Sequence, residues 1–199
     1  MQKRKPCYLK SVVIVHGKSE KQICDYIKSN LRLKMEVISE KKGEKSIQIN
    51  GLGHLLKDKR FSSFRQFIKF FDDVEVVGEK TKKKLAPYFK ILIIMDTDDC
   101  AEEQKRRYIT KEMFQGHWAY DYIIPIFNSP DLESVLVKAG IKFEKKGADR
   151  KKEYIKIFPT DTKYSHREGV ELQTFANNLK NVEDSNLHQF IQHCLESAE

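Results

Sequence analysis

Asp96 directly follows a run of five apolar residues at positions 91–95, and Asp98 and Asp99 come just after it. Carboxylates this close together repel one another, and a hard divalent cation such as Mg²⁺ or Mn²⁺ relieves that repulsion. Asp96 and Asp98 are spaced so that both side chains of an extended or tightly turning segment can reach one cation. The structural alternative is that Asp98 or Asp99 caps a helix predicted to begin near residue 100. We therefore expect a metal or phosphate site at this segment.

A second segment that could do chemistry is His-Gly-Lys-Ser-Glu at residues 16–20, which follows a strand-like run at residues 11–15. Lys18 stands beside Gly17 at the predicted start of a helix, where a phosphate would meet both the lysine and free backbone N–H groups. Ser19 is the expected cap of that helix. The segment lacks the earlier glycine of a P-loop, which argues against a nucleotide triphosphatase. Gly17 and Lys18 are therefore candidate phosphate-binding residues.

The elements that must position these residues are strands and helices in alternation. Continuous apolar runs, as at residues 11–15 and 91–95, are typical of strands buried on both faces of a parallel sheet. Residues 46–50 alternate like a strand, and residues 122–127 form another run in which Pro125 indicates an edge or an irregular position. With helical stretches between them, these runs predict an α/β fold. It has a parallel sheet of about four strands, helices on both faces and additional C-terminal helices.

The 199 residues are enough for one domain with a smaller appended part. We expect an α/β domain at residues 8–140 and a helical extension at residues 141–199. The extension contains two predicted helices, near residues 167–179 and 184–197. A stripe of phenylalanines on the helical stretch at residues 61–71 is interpreted as core rather than as a platform for stacked bases.

Acidic residues follow three of the predicted strands, and these positions should meet at one edge of the sheet. In open α/β sheets, ligands bind beyond the carboxyl ends of the strands. Glu20, Asp96 and Glu133 would approach one another there. Acids from several loops can hold one or two Mg²⁺ ions, which activate a water and stabilise an in-line phosphoryl transfer. Mg²⁺ and Mn²⁺ prefer oxygen ligands, so carboxylates suit such a site better than thiols or imidazoles.

Three segments together resemble the signature segments of Toprim domains. They are Val-Ile-Val-His-Gly-Lys-Ser-Glu at 13–20, Ile-Ile-Met-Asp-Thr-Asp at 93–98 and Asn-Ser-Pro-Asp-Leu-Glu at 128–133. The resemblance is nearest to the branch found in overcoming-lysogenization-defect (OLD) nucleases and their RloB-like relatives in phage-defence loci, and it covers roughly residues 11–139. It implies a Toprim-like, Rossmann-like parallel sheet with helices on both faces and divalent-metal chemistry on phosphodiesters.

The resemblance also implies roles for particular residues. Asp96 and Asp98 fall on the aspartate pair that binds metal in that family. Glu20 falls on a further acid at the start of the first helix, and Glu133 matches the acid that follows the proline in RloB-like relatives. The implied metal site is therefore Glu20, Asp96, Asp98 and Glu133 with Mg²⁺ or Mn²⁺. The implied catalytic residues are His16, Glu20 and Asp96.

His16 is where the chain departs from the family, which usually has glutamate immediately before the first glycine. That glutamate is the expected metal ligand or general acid/base. Glu20 could supply the missing acid, or His16 could change the metal preference or the mechanism, since histidine transfers protons near neutral pH. Alternatively, the site is a phosphate-binding relic, or His16 is packed for structural reasons.

The composition indicates an anionic partner. There are 37 Lys and Arg against 29 Asp and Glu, giving a net charge of +8, which suits DNA or RNA. The basic run at residues 80–84 and the charged stretch at residues 145–152 are candidate contacts for a phosphate backbone, with a solvated loop as the alternative for the run. Four scattered cysteines without a CxxC pair argue against a disulfide scaffold or zinc knuckle. The apolar run near the N-terminus is too short for a signal peptide or membrane span, so we expect a cytoplasmic protein.

The leading hypothesis is a Mg²⁺- or Mn²⁺-dependent nuclease that hydrolyses nucleic-acid phosphodiesters in bacterial phage defence. Its expected partners are DNA or RNA, with a second copy of the chain and an ATPase or other defence-locus protein as further partners, and no membrane. The alternative is a catalytically inactive Toprim-like module that binds nucleic acid or a partner protein, because His16 replaces the usual glutamate. A receiver-like phospho-acceptor domain is disfavoured, since its acid pair normally follows the first strand.

Overall fold

A computed structural model describes residues 7–79, 81–141 and 170–198. Its strands are β1 (Ser11–Val15), β2 (Met35–Ile38), β3 (Val76–Val77), β4 (Lys84–Leu85), β5 (Lys90–Asp96) and β6 (Ile123–Asn128). Its helices are α1 (Lys18–Asn30), α2 (Leu52–Lys57), α3 (Phe64–Phe70), α4 (Glu102–Ile109), α5 (Leu132–Lys138), α6 (Val170–Lys180) and α7 (Leu187–Ala198). Across these three ranges, no helix has both the length and the apolar character needed to cross a membrane.

A four-stranded parallel sheet in the order β2-β1-β5-β6 forms the centre of the molecule. The predicted α/β fold, with about four parallel strands, helices on both faces and C-terminal helices, is confirmed. β6 is the edge strand of the ladder, and Pro125 lies on it opposite Ile93. This position agrees with the prediction, because proline has no N–H to donate to a further strand.

Both faces of the central strands are buried, which explains their uninterrupted apolar sequence. Val13 and Leu92 pack in the core on one face, and Val12 and Ile91 pack in the core on the other. Helices α1, α5, α6 and α7 cover the first face, and α2, α3 and α4 cover the second. The predicted C-terminal extension therefore shares a core with the sheet in the part that the structure describes. A domain boundary near residue 141 stays a prediction.

The second strand is not where the alternation of residues 46–50 predicted it. β2 is Met35–Ile38, while Ile47 lies in a loop and Ile49–Gly51 is a single 3₁₀ turn. The N–H of Ile47 donates to His16 O at 2.7 Å, but this pairing does not continue as a ladder. Ile47 and Ile49 are nevertheless buried in the core on the α2 side. The alternation therefore came from burial in a loop rather than from a strand, and the prediction was wrong.

The phenylalanine stripe belongs to the core, as predicted. Phe67 is fully buried on α3, and its ring lies 4.7 Å from that of Phe71 and 5.8 Å from that of Phe89, measured between centroids. Trp118 closes the cluster with its ring 5.2 Å from that of Phe67. Phe70 points outward from this helix, with 58% of its surface exposed. The cluster fixes α3 against the sheet and leaves Phe67 no freedom to stack on a base.

The basic run lies in the loop of a β-hairpin, which agrees with its interpretation as a solvated loop; among its described residues, only Lys84 belongs to a strand, β4. β3 and β4 pair in antiparallel fashion, and Lys82, Lys83 and Lys84 are exposed. The N–H of Leu85 donates to the Tyr122 hydroxyl at 3.2 Å, immediately before β6 begins. This places the base of the hairpin at the amino-terminal edge of the sheet, opposite the edge that ends in Asp96. Lys80 and the charged stretch at residues 145–152 lie outside the described residues.

The segment between α6 and α7 lies along the outer side of β6. The N–H of Ser129 donates to Asp184 O at 2.9 Å, and the N–H of Phe127 donates to Asn186 Oδ1 at 2.8 Å. The Nδ2 of Asn186 donates in turn to Pro125 O at 2.9 Å. Residues of the predicted C-terminal extension thus provide hydrogen-bond partners for backbone groups of the edge strand.

Candidate functional site

The candidate site lies at the position where the order of strands in the sheet reverses. From β1 the chain passes through α1 to β2 on one side, whereas β5 leads through α4 to β6 on the other. Ligands of open α/β sheets bind at such a switch point, beyond the carboxyl ends of the strands. The N–H of His16 donates to Ile94 O at 2.9 Å and so continues the pairing of β1 with β5. The segments that start at His16 and at Asp96 therefore leave the sheet side by side.

Glu20 lies in the first turn of α1, where it is only 3% exposed. The cap of α1 is Gly17, which has no side chain, and the N–H of Gly17 donates to Glu20 Oε2 at 2.8 Å. The prediction that Ser19 caps the helix was wrong because the chain turns into α1 two residues earlier. Burial raises the pKa of Glu20; backbone hydrogen bonds and nearby His16 oppose this, and Glu133 adds to it.

Asp96 is the last residue of β5 and is 8% exposed. Its Oδ1 accepts hydrogen bonds from the N–H of Leu132 at 3.1 Å and from Asn128 Nδ2 at 3.3 Å. The pKa of Asp96 is raised to about 9, chiefly by burial and then by the negative charge of Glu20, while the hydrogen bond from Asn128 opposes the shift. Glu133 also raises this pKa. The structure thus brings together the two buried acids that were predicted from different loops.

Asp98 and Glu133 lie at the rim of the site. Asp98 is exposed in the turn after β5, and Glu133 is half-buried in the first turn of α5. Both are close enough to Asp96 to raise its pKa. The helix that follows Asp98 is capped by Ala101, so the alternative that Asp98 or Asp99 serves as its cap was wrong. The charge of Asp98 remains available at the edge of the site.

The two predicted phosphate-binding residues lie at the start of α1. Gly17 is buried and Lys18 is exposed. A neighbouring turn crosses them closely: a Cβ on Gly43 would lie 3.0 Å from Lys18 Cα, and Gly43 has a φ of +91°, which favours glycine. Gly43 was not singled out from the sequence, although an isolated glycine in a charged stretch is itself a signal for a turn.

His16 is half-buried beside Glu20. Its Nδ1 is buried and finds no hydrogen-bond partner among the described residues. His16 is close enough to Glu20 to lower the pKa of the glutamate. The imidazole is therefore at the acid site rather than packed elsewhere, and one of its nitrogens is left without a protein partner in that part of the chain.

Three further residues at this edge were not singled out from the sequence. Asn128, fully buried, is the register partner of Asp96. Lys105 on α4 donates to Ser129 Oγ at 2.9 Å, which brings an ammonium group to the loop after β6. The Tyr108 hydroxyl lies within hydrogen-bond distance of the carbonyl oxygens of two neighbouring strands, one on β5 and one on β6. For Asn128, the available signal was a polar residue at the end of an apolar strand. Lys105 and Tyr108 reach this edge through the packing of α4, which no local pattern in the sequence predicts.

The acids suit one kind of metal ion better than others. In the described ranges, no group of three or more His, Cys, Asp or Glu side chains is arranged to hold a metal ion. Glu20 and Asp96 interact electrostatically as a buried pair, and within those ranges Asp96 Oδ2 accepts no hydrogen bond. Mg²⁺ commonly binds through one or two carboxylates and keeps waters or substrate phosphates as its other ligands. The donor set therefore fits a partly hydrated Mg²⁺ or Mn²⁺ and does not form an all-protein cage.

No protein-family model matches the chain, and neither a curated protein nor a solved structure is significantly similar to it.

Proposed function

We propose that this protein is a Toprim-type nuclease that uses Mg²⁺ or Mn²⁺ to hydrolyse phosphodiester bonds in nucleic acid. The observation that carries the proposal is the pairing of Glu20 with Asp96, two buried carboxylates at the switch point of a parallel sheet. Burial and mutual repulsion make this arrangement unfavourable unless a proton or a cation neutralises it. Perturbed acids in such a position are typical of functional sites.

Each residue of the site has a role in this proposal. When bound, the cation would polarise the phosphodiester and lower the pKa of an attacking water. Asp96 supplies a carboxylate held by the Leu132 N–H, and Glu20 supplies one held by the Gly17 N–H. Asp98 and Glu133 add negative charge at the rim and attract the cation. These four residues are the ones that would hold the metal.

The basic groups at the site bind the substrate. Lys18 is exposed at the start of α1, and Lys105 is held by Ser129 at the loop after β6. The two lysines come from different strand–helix junctions, so they are suited to contact consecutive phosphates. His16, half-buried beside Glu20, is the candidate for proton transfer in this proposal.

The nuclease proposal is tested by cleavage of labelled DNA and RNA with and without Mg²⁺ or Mn²⁺. Asp96→Asn and Glu20→Gln should each abolish metal-dependent cleavage. Asp72→Asn and Glu36→Gln are matched controls, because both acids are exposed and away from the carboxyl edge. Cleavage by Asp96→Asn at the wild-type rate would overturn the proposal. Binding of nucleic acid without cleavage under any metal condition would support the inactive-module alternative.

The resemblance to RloB-like proteins extends the proposal to its setting. We propose that the activity operates in phage defence, with an ATPase or another protein of the same locus, or a second copy of this chain, as a partner. The scattered cysteines and the short apolar run near the N-terminus favour the cytoplasm as its location. Co-purification of the tagged full-length chain with the products of its neighbouring genes tests this extension.

A further inference from the structure

A buried chain of hydrogen bonds connects the C-terminal segment to Asp96. The N–H of Leu187 donates to Ser185 Oγ at 3.0 Å, and the Ser185 hydroxyl donates to Asn128 Oδ1 at 3.0 Å. Asn128 Nδ2 then donates to Asp96 Oδ1 at 3.3 Å. Ser185 is 5% exposed and Asn128 is 0% exposed, so solvent does not compete for these bonds.

The direction of this chain follows from both of its ends. The N–H of Leu187 can only donate, so Ser185 Oγ accepts from it and keeps its own hydrogen to donate to Asn128 Oδ1. The Asn128 amide nitrogen then donates to Asp96 Oδ1. A reversed amide would place its oxygen against the Asp96 carboxylate, where neither oxygen has a hydrogen to donate when Asp96 is ionised.

The chain also determines how the Asp96 carboxylate presents its two oxygens. Oδ1 accepts from Asn128 on one strand end and from the Leu132 N–H at the start of α5. Two donors on one oxygen fix the plane of the carboxylate, because either bond would stretch if the group rotated. No donor among the described residues contacts Oδ2, so this oxygen is the one left to bind another ligand.

We infer that Ser185 is a positioning residue of the acid site, acting on Asp96 through Asn128. The site is therefore completed by the segment between α6 and α7, which lies beyond the part of the chain that resembles Toprim domains. As a statement about metal binding, this inference rests on the proposed function. The orientation of Asn128 can be measured without metal, so the positioning role of Ser185 and the proposed metal-dependent function can fail separately.

The first measurement is the affinity for Mn²⁺ by titration calorimetry on the full chain. Ser185→Ala removes the hydroxyl that orients Asn128 and should weaken Mn²⁺ binding about tenfold or more, as for other residues that orient metal ligands. Asn186→Ala is the matched control, because the described hydrogen bonds of the Asn186 side chain are both with β6: it accepts from the Phe127 N–H and donates to Pro125 O. It loosens the same segment without touching the chain to Asp96, and its Mn²⁺ affinity should stay within about twofold of wild type.

The second measurement uses metal-free protein and the side-chain amide signals of Asn128 in NMR spectra, identified by their loss in Asn128→Ala. We expect the Nδ2 protons to exchange slowly in wild type and in Asn186→Ala, and about tenfold faster in Ser185→Ala. Equal exchange rates in the two alanine variants would overturn the inference, and so would equal Mn²⁺ affinities in these variants if wild type binds Mn²⁺. If wild type binds no Mn²⁺ but Asn128 loses protection only in Ser185→Ala, the positioning role stands and the proposed metal-dependent function falls.

Discussion

Glu20 lies close enough to Asp96 to raise the pKa of the aspartate, although the two residues come from different strand–helix junctions. Glu20 is in the first turn of α1, and Asp96 ends β5. Parallel pairing of β1 with β5 brings these junctions together. Two buried carboxylates in one place oppose folding unless they are neutralised.

Stability in the absence of metal should depend on the protonation of Asp96. Its pKa is about 9 in the folded chain against an ordinary value of 3.8, so folding favours the protonated form. This contribution is fully present below about pH 4 and is lost as the pH rises toward 9. Asp96→Asn cannot ionise and keeps a carbonyl oxygen for Leu132 and Asn128. At about pH 8 the variant should exceed wild type by at least ~1 kcal/mol, or roughly 2–4 °C in Tm.

The same comparison at about pH 4 should give no difference, because Asp96 is then protonated in the folded wild type. Asp72→Asn is the control, since Asp72 is exposed and should show no such pH dependence. A constant difference between Asp96→Asn and wild type across this range would contradict the raised pKa.

Binding of a divalent metal should offset the destabilisation that the two buried carboxylates cause. A ligand that binds only the folded state stabilises it, by about 1.4 kcal/mol at ten times its Kd. For a chain of this size that corresponds to roughly 3–6 °C in Tm. Mg²⁺ or Mn²⁺ should therefore raise the Tm of wild type but not that of Asp96→Asn or Glu20→Gln, measured by differential scanning calorimetry. An equal increase in all three proteins would place the metal elsewhere.

His16→Glu should separate the roles of the imidazole. A carboxylate added beside Glu20 should destabilise the metal-free protein, by about 1–3 kcal/mol. With Mg²⁺ present it should strengthen metal binding, because it adds a hard oxygen ligand. If His16 accepts a proton during cleavage, the rate should fall about 100-fold despite tighter binding.

The control for this substitution is His54→Glu, at an exposed position on α2, which should change neither stability nor metal affinity appreciably. A faster cleavage rate in His16→Glu would indicate that the native site is a degenerate one. If Tm, Mg²⁺ affinity and rate all stay unaltered, the loop at His16 lies away from the acids and the resemblance to Toprim domains is wrong.

The hairpin lysines should affect affinity rather than chemistry. Changing Lys82, Lys83 and Lys84 together to Glu should weaken binding to all sequences alike. The slope of log K against log[salt] should decrease by about 0.9 for each phosphate that the variant no longer neutralises. The rate at saturating substrate should stay the same, because the base of the hairpin is at the edge opposite Asp96.

A triple change of Lys57, Lys59 and Lys69 to Glu alters the net charge equally and serves as the control, since all three are exposed elsewhere. The same loss of affinity in both triple variants would show that overall charge, and not the hairpin, attracts nucleic acid.

Gly43 should be intolerant of a side chain. Gly43→Ala would strain a residue with a φ of +91° and bring its Cβ to 3.0 Å from Lys18 Cα. We expect the free energy of unfolding to fall by about 1–3 kcal/mol, measured by denaturant titration. The matched control is Gly53→Ala in α2, where a Cβ meets nothing within 4 Å. There alanine should stabilise the protein by about 0.5–1 kcal/mol. Equal effects of the two variants would show that the turn does not restrain the start of α1.

The parts of the fold that sequence reasoning predicted are those with strong local patterns. β1 and β5 are buried on both faces, so their apolar runs are unmistakable. β2 has only Met35 and Ile38 buried, whereas Ile47 and Ile49 mimic a strand from a loop. A two-residue alternation reports burial and cannot distinguish these two cases without the tertiary packing.

The residues of the candidate site likewise divide into those that a local sequence pattern marks and those that it does not. Asp96 and Glu20 could be named because each stands next to a strand or helix boundary that the sequence marks. Asn128 was in a recognised segment, but its partner Ser185 is 57 residues away and follows no motif. The position of the hairpin was also not predictable, because sequence proximity to β5 does not say which edge of the sheet a loop meets.

The late position of Ser185 in the chain has a consequence for biosynthesis. The ribosome makes Glu20, Asp96 and Asn128 well before Ser185, and folding during synthesis starts from the N-terminal part. Until Ser185 emerges, the carbonyl oxygen of the Asn128 side chain lacks the donor that orients it. Glu20 and Asp96 can therefore approach each other on a nascent chain while the Leu132 N–H holds the Asp96 carboxylate without the Ser185-oriented amide of Asn128. A nuclease of the kind proposed above would in this way stay incompletely assembled beside the messenger RNA that encodes it.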